Sequence, residues 1–120
     1  MTILVRTDAS SMPLIFPGHS VHDELSFLVE QGGLTPLEAL RGATIDASRF
    51  MGDSGSGRIA AGQRADLLLL NANPLSDIGA TRSIEAVVLR GSVFDRQGLD
   101  ALREQSAALA NPSGITARLR

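Results

Sequence analysis

The spacing of hydrophobic residues predicts a helix near the start of the chain. Leu25, Leu28 and Val29 stand at helical spacing, and a pair of glycines then interrupts the pattern. We therefore predict a first helix over residues 20–31.

A second helix begins with a strong start signal. Thr35 suits the N-cap, Pro36 the first helical position and Glu38 the third. Apolar residues continue at helical spacing until Gly52, which is a typical C-terminal stop. This pattern predicts a helix over residues 36–51.

From residue 53 the hydrophobic period changes from that of helices to that of strands. Residues 65–70 form an apolar run that only Asp66 interrupts, which is typical of a strand covered on both faces. Residues 84–89 predict a second strand, and residues 92–96 return as its hairpin partner after a tight turn. The short run 3–5 is a further candidate strand for the same sheet.

Together these elements predict an α+β fold in a single domain over residues 1–110. A small, mostly antiparallel sheet would be packed by the two N-terminal helices and by a C-terminal helix over 98–110. Residues 1–52 would supply the first helices and residues 53–97 the strands. We expect residues 111–120 to form a flexible tail, since Pro112 and Gly114 end the preceding helical pattern.

Composition narrows the chemistry that this domain can perform. The 120 residues include no Cys and no Lys, which excludes thiolate metal sites, cysteine nucleophiles and Schiff-base lysines. The net charge is −2 and there is no Trp or Tyr, so nothing indicates a nucleic-acid or membrane partner. Interleaved acids favour a solvated surface for the arginines of the strand region, Arg82 among them. A cytoplasmic location is the default expectation.

Four segments stand in a characteristic order along the chain. They are Thr7–Ala9, Pro17–Leu25, Leu34–Thr44 and Gly57–Asp66. In this order they resemble the C-terminal part of the metal-dependent amidohydrolase superfamily. Within it they are most similar to the imidazolonepropionase-like and prolidase-like members. The resemblance implies the end of a (β/α)₈ barrel followed by part of a β-sandwich, not a complete barrel.

The same resemblance implies a chemistry and a site. One or two divalent metals, zinc being the expected ion, activate a water that attacks the carbonyl of an amide or peptide-like C–N bond. Asp8 matches the aspartate that ends the last barrel strand, so the resemblance implies that it binds metal and acts as general base. The expected substrate is a small amide or a dipeptide.

Two histidines are further candidate metal ligands. His19 and His22 are three positions apart near a helix start, so both rings can lie on one side and form a makeshift site with Asp8. The alternative is a plain helix N-terminus at which Asp23 and Glu24 interact with the helix dipole and the histidines are partly exposed.

The glycines and the acid of the 57–66 segment have a simpler interpretation. Gly57 and Gly62 lack the spacing and the lysine of a phosphate-binding loop, which indicates turn chemistry instead. Asp66 is expected to accept hydrogen bonds from nearby backbone N–H groups before the strand.

Most of the family's ligands should precede Asp8, and seven residues do so in this chain. We therefore expect a C-terminal fragment that lacks catalytic competence by itself. The alternatives are a non-catalytic oligomeric structural or interaction module, or one subunit of a split amidohydrolase. Since the 65–70 strand needs neighbours, we also expect a homo-oligomer or pairing with a missing N-terminal half.

Overall fold

A computed structural model of the chain describes residues 3–7 and 18–110. The helices and strands follow one another in this order: α1 Ser20–Glu30, α2 Pro36–Ala43, α3 Ile45–Phe50, β1 Leu67–Leu70, a 3₁₀ helix Ile78–Arg82, β2 Ile84–Leu89, β3 Ser92–Phe94 and α4 Arg96–Ala110. The small α+β arrangement predicted from the sequence is present. No helix in these two described ranges is long and apolar enough to cross a membrane.

The described strands form an antiparallel sheet with β2 in the centre, in the order β1-β2-β3. Leu68 of β1 lies opposite Val87 of β2, and a register shift follows after Leu69. Arg90 and Gly91 both have positive φ angles, 51° and 84°, as a two-residue hairpin between β2 and β3 requires. The predicted strand pairing is therefore confirmed, although β1 begins two residues later than predicted and β3 ends at Phe94 rather than at residue 96, where α4 has begun.

Residues 3–5 do not join this sheet, so the prediction of a fourth strand there is wrong. The stretch 3–7 instead lies beside α2, where the N–H of Val5 donates to the carbonyl oxygen of Gly42 at 3.4 Å. A β-carbon at position 42 would stand 2.5 Å from the carbonyl oxygen of Ile3. Because Gly42 has no side chain, residues 3–7 can approach α2 closely. Their neighbour is therefore this helix and not a strand of the sheet.

The helix predicted over 36–51 is interrupted, which is a second correction. It begins as predicted, with a capping box in which Thr35 and Glu38 bond each other's backbone N–H groups. Thr44 then leaves the helical region, with φ −126° and ψ −97°, and its hydroxyl donates to the carbonyl oxygen of Leu40 at 2.7 Å. This side-chain bond competes with the helical pattern and separates α2 from α3.

The described core lies between the helices rather than on the sheet. Leu25 of α1, Ala39 of α2 and Ile78 of the 3₁₀ helix are buried together. Leu68 and Leu69 of β1, by contrast, are 55% and 58% exposed, although successive residues of a strand point to opposite faces. The expectation of a strand covered on both faces is therefore wrong within the described part of the chain. The predicted tail, residues 111–120, lies outside it.

Candidate functional site

Of the three candidate metal ligands, two lie among the described residues and one does not. Asp8 lies outside the described residues, so its proposed roles as metal ligand and general base stay predictions. His19 and His22 lie at the beginning of α1 and are described. The site is therefore built from the two histidines and the groups that surround them.

His22 is held by a hydrogen bond to the 3₁₀ helix. Its Nδ1 lies 3.1 Å from the hydroxyl oxygen of Thr81, a buried residue whose own hydroxyl donates to the carbonyl oxygen of Ile78 at 2.9 Å. Because the only proton of that hydroxyl is used there, the Thr81 oxygen accepts from Nδ1–H of His22. The neutral imidazole then carries its lone pair on Nε2.

The surroundings of His22 favour its neutral form. Burial lowers the pKa of His22 from its usual value, and the positive charges of Arg82 and His19 lower it further. Asp23 acts in the opposite direction and is the weakest of these influences. Asp23 also forms an ion pair with Nη2 of Arg82, which ties the start of α1 to the end of the 3₁₀ helix.

A cavity of about 380 Å³ opens beside the histidines. We call it the basic cavity, and its lining consists of Gly18, His19, His22, Arg82, Ile84 and Arg103. Every ionisable side chain in this lining is basic. The described elements α1, the 3₁₀ helix, β2 and α4 each contribute to it.

This lining does not fit a divalent metal. The structure brings His19 and His22 to one cavity, as the sequence suggested, but two arginines face them there and repel a cation. Within residues 3–7 and 18–110 there is no group of three His, Asp or Glu side chains that could hold a metal ion. No catalytic step through a metal can be derived from the described residues.

Sequence patterns missed three residues of this site: Thr81, Arg82 and Arg103. Thr81 and Arg82 are each 59 positions away from the α1 residue that they contact. Arg82 is exposed, as expected for a solvated surface, and it also lines the basic cavity. No local spacing signal connects positions so far apart, so only the tertiary structure could identify them.

The 57–66 segment has the turn role expected for it. The carboxylate of Asp66 accepts from the backbone N–H of Arg90 and from Nε of Arg64, both at 2.7 Å. These bonds lower the pKa of Asp66. The segment is thereby connected to the β2–β3 hairpin, which makes it a structural element rather than a binding loop.

A second carboxylate secures the start of the same segment. Asp53 accepts from the hydroxyl of Ser56 and the N–H of Gly55, both at 2.8 Å, and from Nη2 of Arg64 at 2.9 Å. The Ser56 bond, followed by those from Gly55 and Arg64, lowers the pKa of Asp53 to about 2. Arg64 therefore bridges Asp53 and Asp66 across the turn.

Comparisons with known proteins give one consistent family. Residues 2–94 match the model of the amidohydrolase family. The chain is 38% identical over 89 residues to ochratoxinase from Aspergillus niger, which covers 72% of this chain and 17% of that protein. It is 43% identical over 85 residues to imidazolonepropionase from Deinococcus radiodurans, which covers 71% of this chain and 21% of that protein.

A solved structure agrees with these sequence matches. A Bifidobacterium longum protein assigned as a prolidase superposes with a TM-score of 0.63 at 36% identity, over 78% of this chain and 25% of that one. The chain thus spans about a fifth of the length of the curated relatives that it matches.

Proposed function

This chain belongs to the amidohydrolase family, and on that premise we propose that it forms part of a metal-dependent hydrolase of C–N bonds in amide or peptide-like substrates. The family match over residues 2–94 carries the proposal. The likeness at 36% identity to a protein assigned as a prolidase supports a small amide or dipeptide as the substrate.

Asp8 is the residue to which we assign chemistry in this proposal. It belongs to the Thr7–Ala9 segment, which matches the end of a barrel strand in the resemblance described above. We propose that it binds a divalent metal, zinc being the expected ion, and accepts a proton from the attacking water. The described residues would then supply support, since α1 and α2 pack together on the core formed by Leu25 and Ala39.

We further propose that the chain is not catalytically competent by itself. The matching regions make up 17% and 21% of two curated relatives, so most of each relative has no counterpart here. The described histidines face arginines rather than acidic metal ligands. Activity would then require the remainder of the family fold, supplied by the same or a separate polypeptide.

A chimera tests this function directly. The matching segment of the Bifidobacterium longum protein would be replaced by this chain, and hydrolysis of dipeptides and N-acyl amino acids measured together with bound metal. We expect the chimera to bind metal and turn over substrate, and Asp8→Asn to abolish turnover. Asp66→Asn is the matched control, because Asp66 is engaged in turn hydrogen bonds.

Two results would contradict the proposal. An Asp8→Asn chimera as active as its parent would remove the assigned role of Asp8. Stoichiometric zinc and turnover by this chain alone would overturn the proposed dependence on the rest of the fold.

The exposed sheet favours a second candidate, a non-catalytic oligomeric module. β1 is an edge strand whose Leu68 and Leu69 are more than half exposed, and Val93 of β3 is 69% exposed. Such an edge can pair with a second copy of the chain. Sedimentation of the purified chain tests this candidate, which predicts a metal-free dimer that Leu68→Lys converts to monomer. A wild-type monomer at high concentration would exclude it.

A further inference from the structure

The basic cavity concentrates positive charge without a matching carboxylate in its lining. His19 is the N-cap residue of α1, His22 belongs to α1, Arg82 to the 3₁₀ helix and Arg103 to α4. Asp23 pairs with one nitrogen of Arg82 but does not line the cavity. Within the described residues, Arg103 has no ion pair.

These groups can supply donors for an oxyanion. Among the described residues no hydrogen bond engages the guanidinium of Arg103, and Arg82 keeps the N–H groups that Asp23 does not use. The bond from Nδ1 of His22 to Thr81 holds the imidazole in place, so that Nε2 becomes a second donor when the ring is protonated. Arginine fits a planar anion well because its N–H groups can bond two oxygens at once.

A second cavity adjoins the first; four of its eight lining residues are apolar, and the others are Arg82, Arg96, Arg103 and Ser106. It has a volume of about 450 Å³ and lies between β2 and α4, where Ile84, Val87, Leu99 and Leu102 contribute to its lining. Arg82 and Arg103 line both cavities. The charged end of an elongated ligand would therefore lie between the arginines, and its hydrocarbon part would extend along α4.

We propose that the two cavities together bind a small organic carboxylate with an apolar body. The carboxylate would lie in the basic cavity against Arg82 and Arg103, and the apolar part would cover Leu99 and Leu102. This binding is independent of the hydrolase proposed above, since it involves neither Asp8 nor a metal. It would also offset the mutual repulsion of the positive groups around His22.

The experiment uses the full chain and three probes at equal ionic strength: acetate, hexanoate and inorganic phosphate. Binding is followed by the imidazole NMR signals of His22. The charged groups that act on His22 are His19 before α1, Asp23 of α1 and Arg82 of the 3₁₀ helix, and Arg103 of α4 lines the same cavity. We expect hexanoate to bind with saturation and to raise the pKa of His22, because the bound anion favours the imidazolium.

Two pairs of variants separate the charged from the apolar contribution. Arg103→Gln should weaken hexanoate binding about tenfold, since it removes a charged hydrogen-bond donor. Arg58→Gln changes the net charge equally but lies outside both cavities, and should leave the affinity unaltered. Leu102→Ser should weaken hexanoate but not acetate, whereas Leu109→Ser on the same helix should affect neither.

Three comparisons of affinity test the proposal. Hexanoate binding at least about tenfold tighter than acetate supports an apolar body, because each of its four additional methylenes contributes to the affinity when buried. Phosphate binding tighter than hexanoate would overturn the organic ligand in favour of a simple anion. Equal losses in Arg103→Gln and Arg58→Gln would reduce the effect to overall charge and remove the site. Far-UV circular dichroism establishes that each variant is folded.

Discussion

Gly57→Ala and Gly62→Ala are a matched pair of substitutions, because both glycines have the same left-handed backbone conformation. Their φ angles are nearly equal, +82° and +81°, so an alanine at either position must adopt the left-handed region. Their surroundings differ. A β-carbon at Gly57 would stand 2.6 Å from Oγ of Ser48 and 2.9 Å from both Cα of Ile45 and the carbonyl oxygen of Thr44. Within the described part of the chain, no heavy atom lies within 4 Å of a β-carbon at Gly62.

The cost of the left-handed conformation can therefore be separated from the cost of overpacking. The left-handed conformation costs an L-residue about 1–2 kcal/mol, and both variants share this loss. Overpacking adds about 1–3 kcal/mol, and only Gly57→Ala incurs it, since backbone atoms of α3 cannot rotate away. We therefore expect Gly62→Ala to lose about 1–2 kcal/mol of unfolding free energy and Gly57→Ala about 2–5 kcal/mol.

Urea unfolding measures this difference. The chain has no Trp or Tyr, so far-UV circular dichroism is the suitable probe. The midpoint should fall further for Gly57→Ala while the slope stays constant. Equal losses in the two variants would refute the reasoning, because they would mean that the contact between Gly57 and the start of α3 has no energetic weight.

Three further predictions concern titration and packing. The pKa of Asp53 is about 2, below its ordinary 3.8, so its stabilising contribution is present above pH 3.8 and is lost as the pH falls towards 2. Thermal melts should show a smaller loss over this range in Asp53→Asn than in the wild type, and parallel curves would contradict this. The pKa of His22 is lowered from 6.5, so stability should be complete above pH 6.5 and fall on acidification below it. His22→Gln should remove this part of the pH profile, and an unchanged profile would exclude the assignment. Gly42→Ala should displace residues 3–7 from α2, because the new β-carbon would lie 2.5 Å from the carbonyl oxygen of Ile3. Faster hydrogen exchange of the Val5 amide would reveal that displacement, whereas unchanged protection would argue against it.

The elements predicted most accurately depend on signals within a few residues. Thr35 and Glu38 form the expected capping box, because both partners belong to one helical turn. Arg90 and Gly91 take the positive φ angles of a tight hairpin. Asp66 accepts from a backbone N–H as expected, but the donor is Arg90, 24 positions along the chain, so this bond is not a local signal.

The predictions that failed concern neighbours distant in sequence. The apolar run 3–5 is compatible with a strand, yet it lies beside α2 because Gly42 lets the backbone approach. The helical pattern over 36–51 continues past Thr44, where the backbone leaves the helix and Gly57 comes close. The approach of residues 3–5 depends on a residue distant in sequence, whereas the break at Thr44 combines the local bond from its hydroxyl to Leu40 with the close approach of Gly57.

The residues of the candidate site likewise fall into those that the sequence identified and those that only the structure identified. The sequence by itself indicated the amidohydrolase resemblance, which the family match over residues 2–94 confirms, and named Asp8, His19 and His22. The role of Asp8 stays a prediction. Only the tertiary structure joined His22 to Thr81 and gathered Arg82 and Arg103 around one cavity. The physical reason is that helix starts and turns are determined by neighbouring residues, whereas a binding site depends on the packing of elements that the sequence separates.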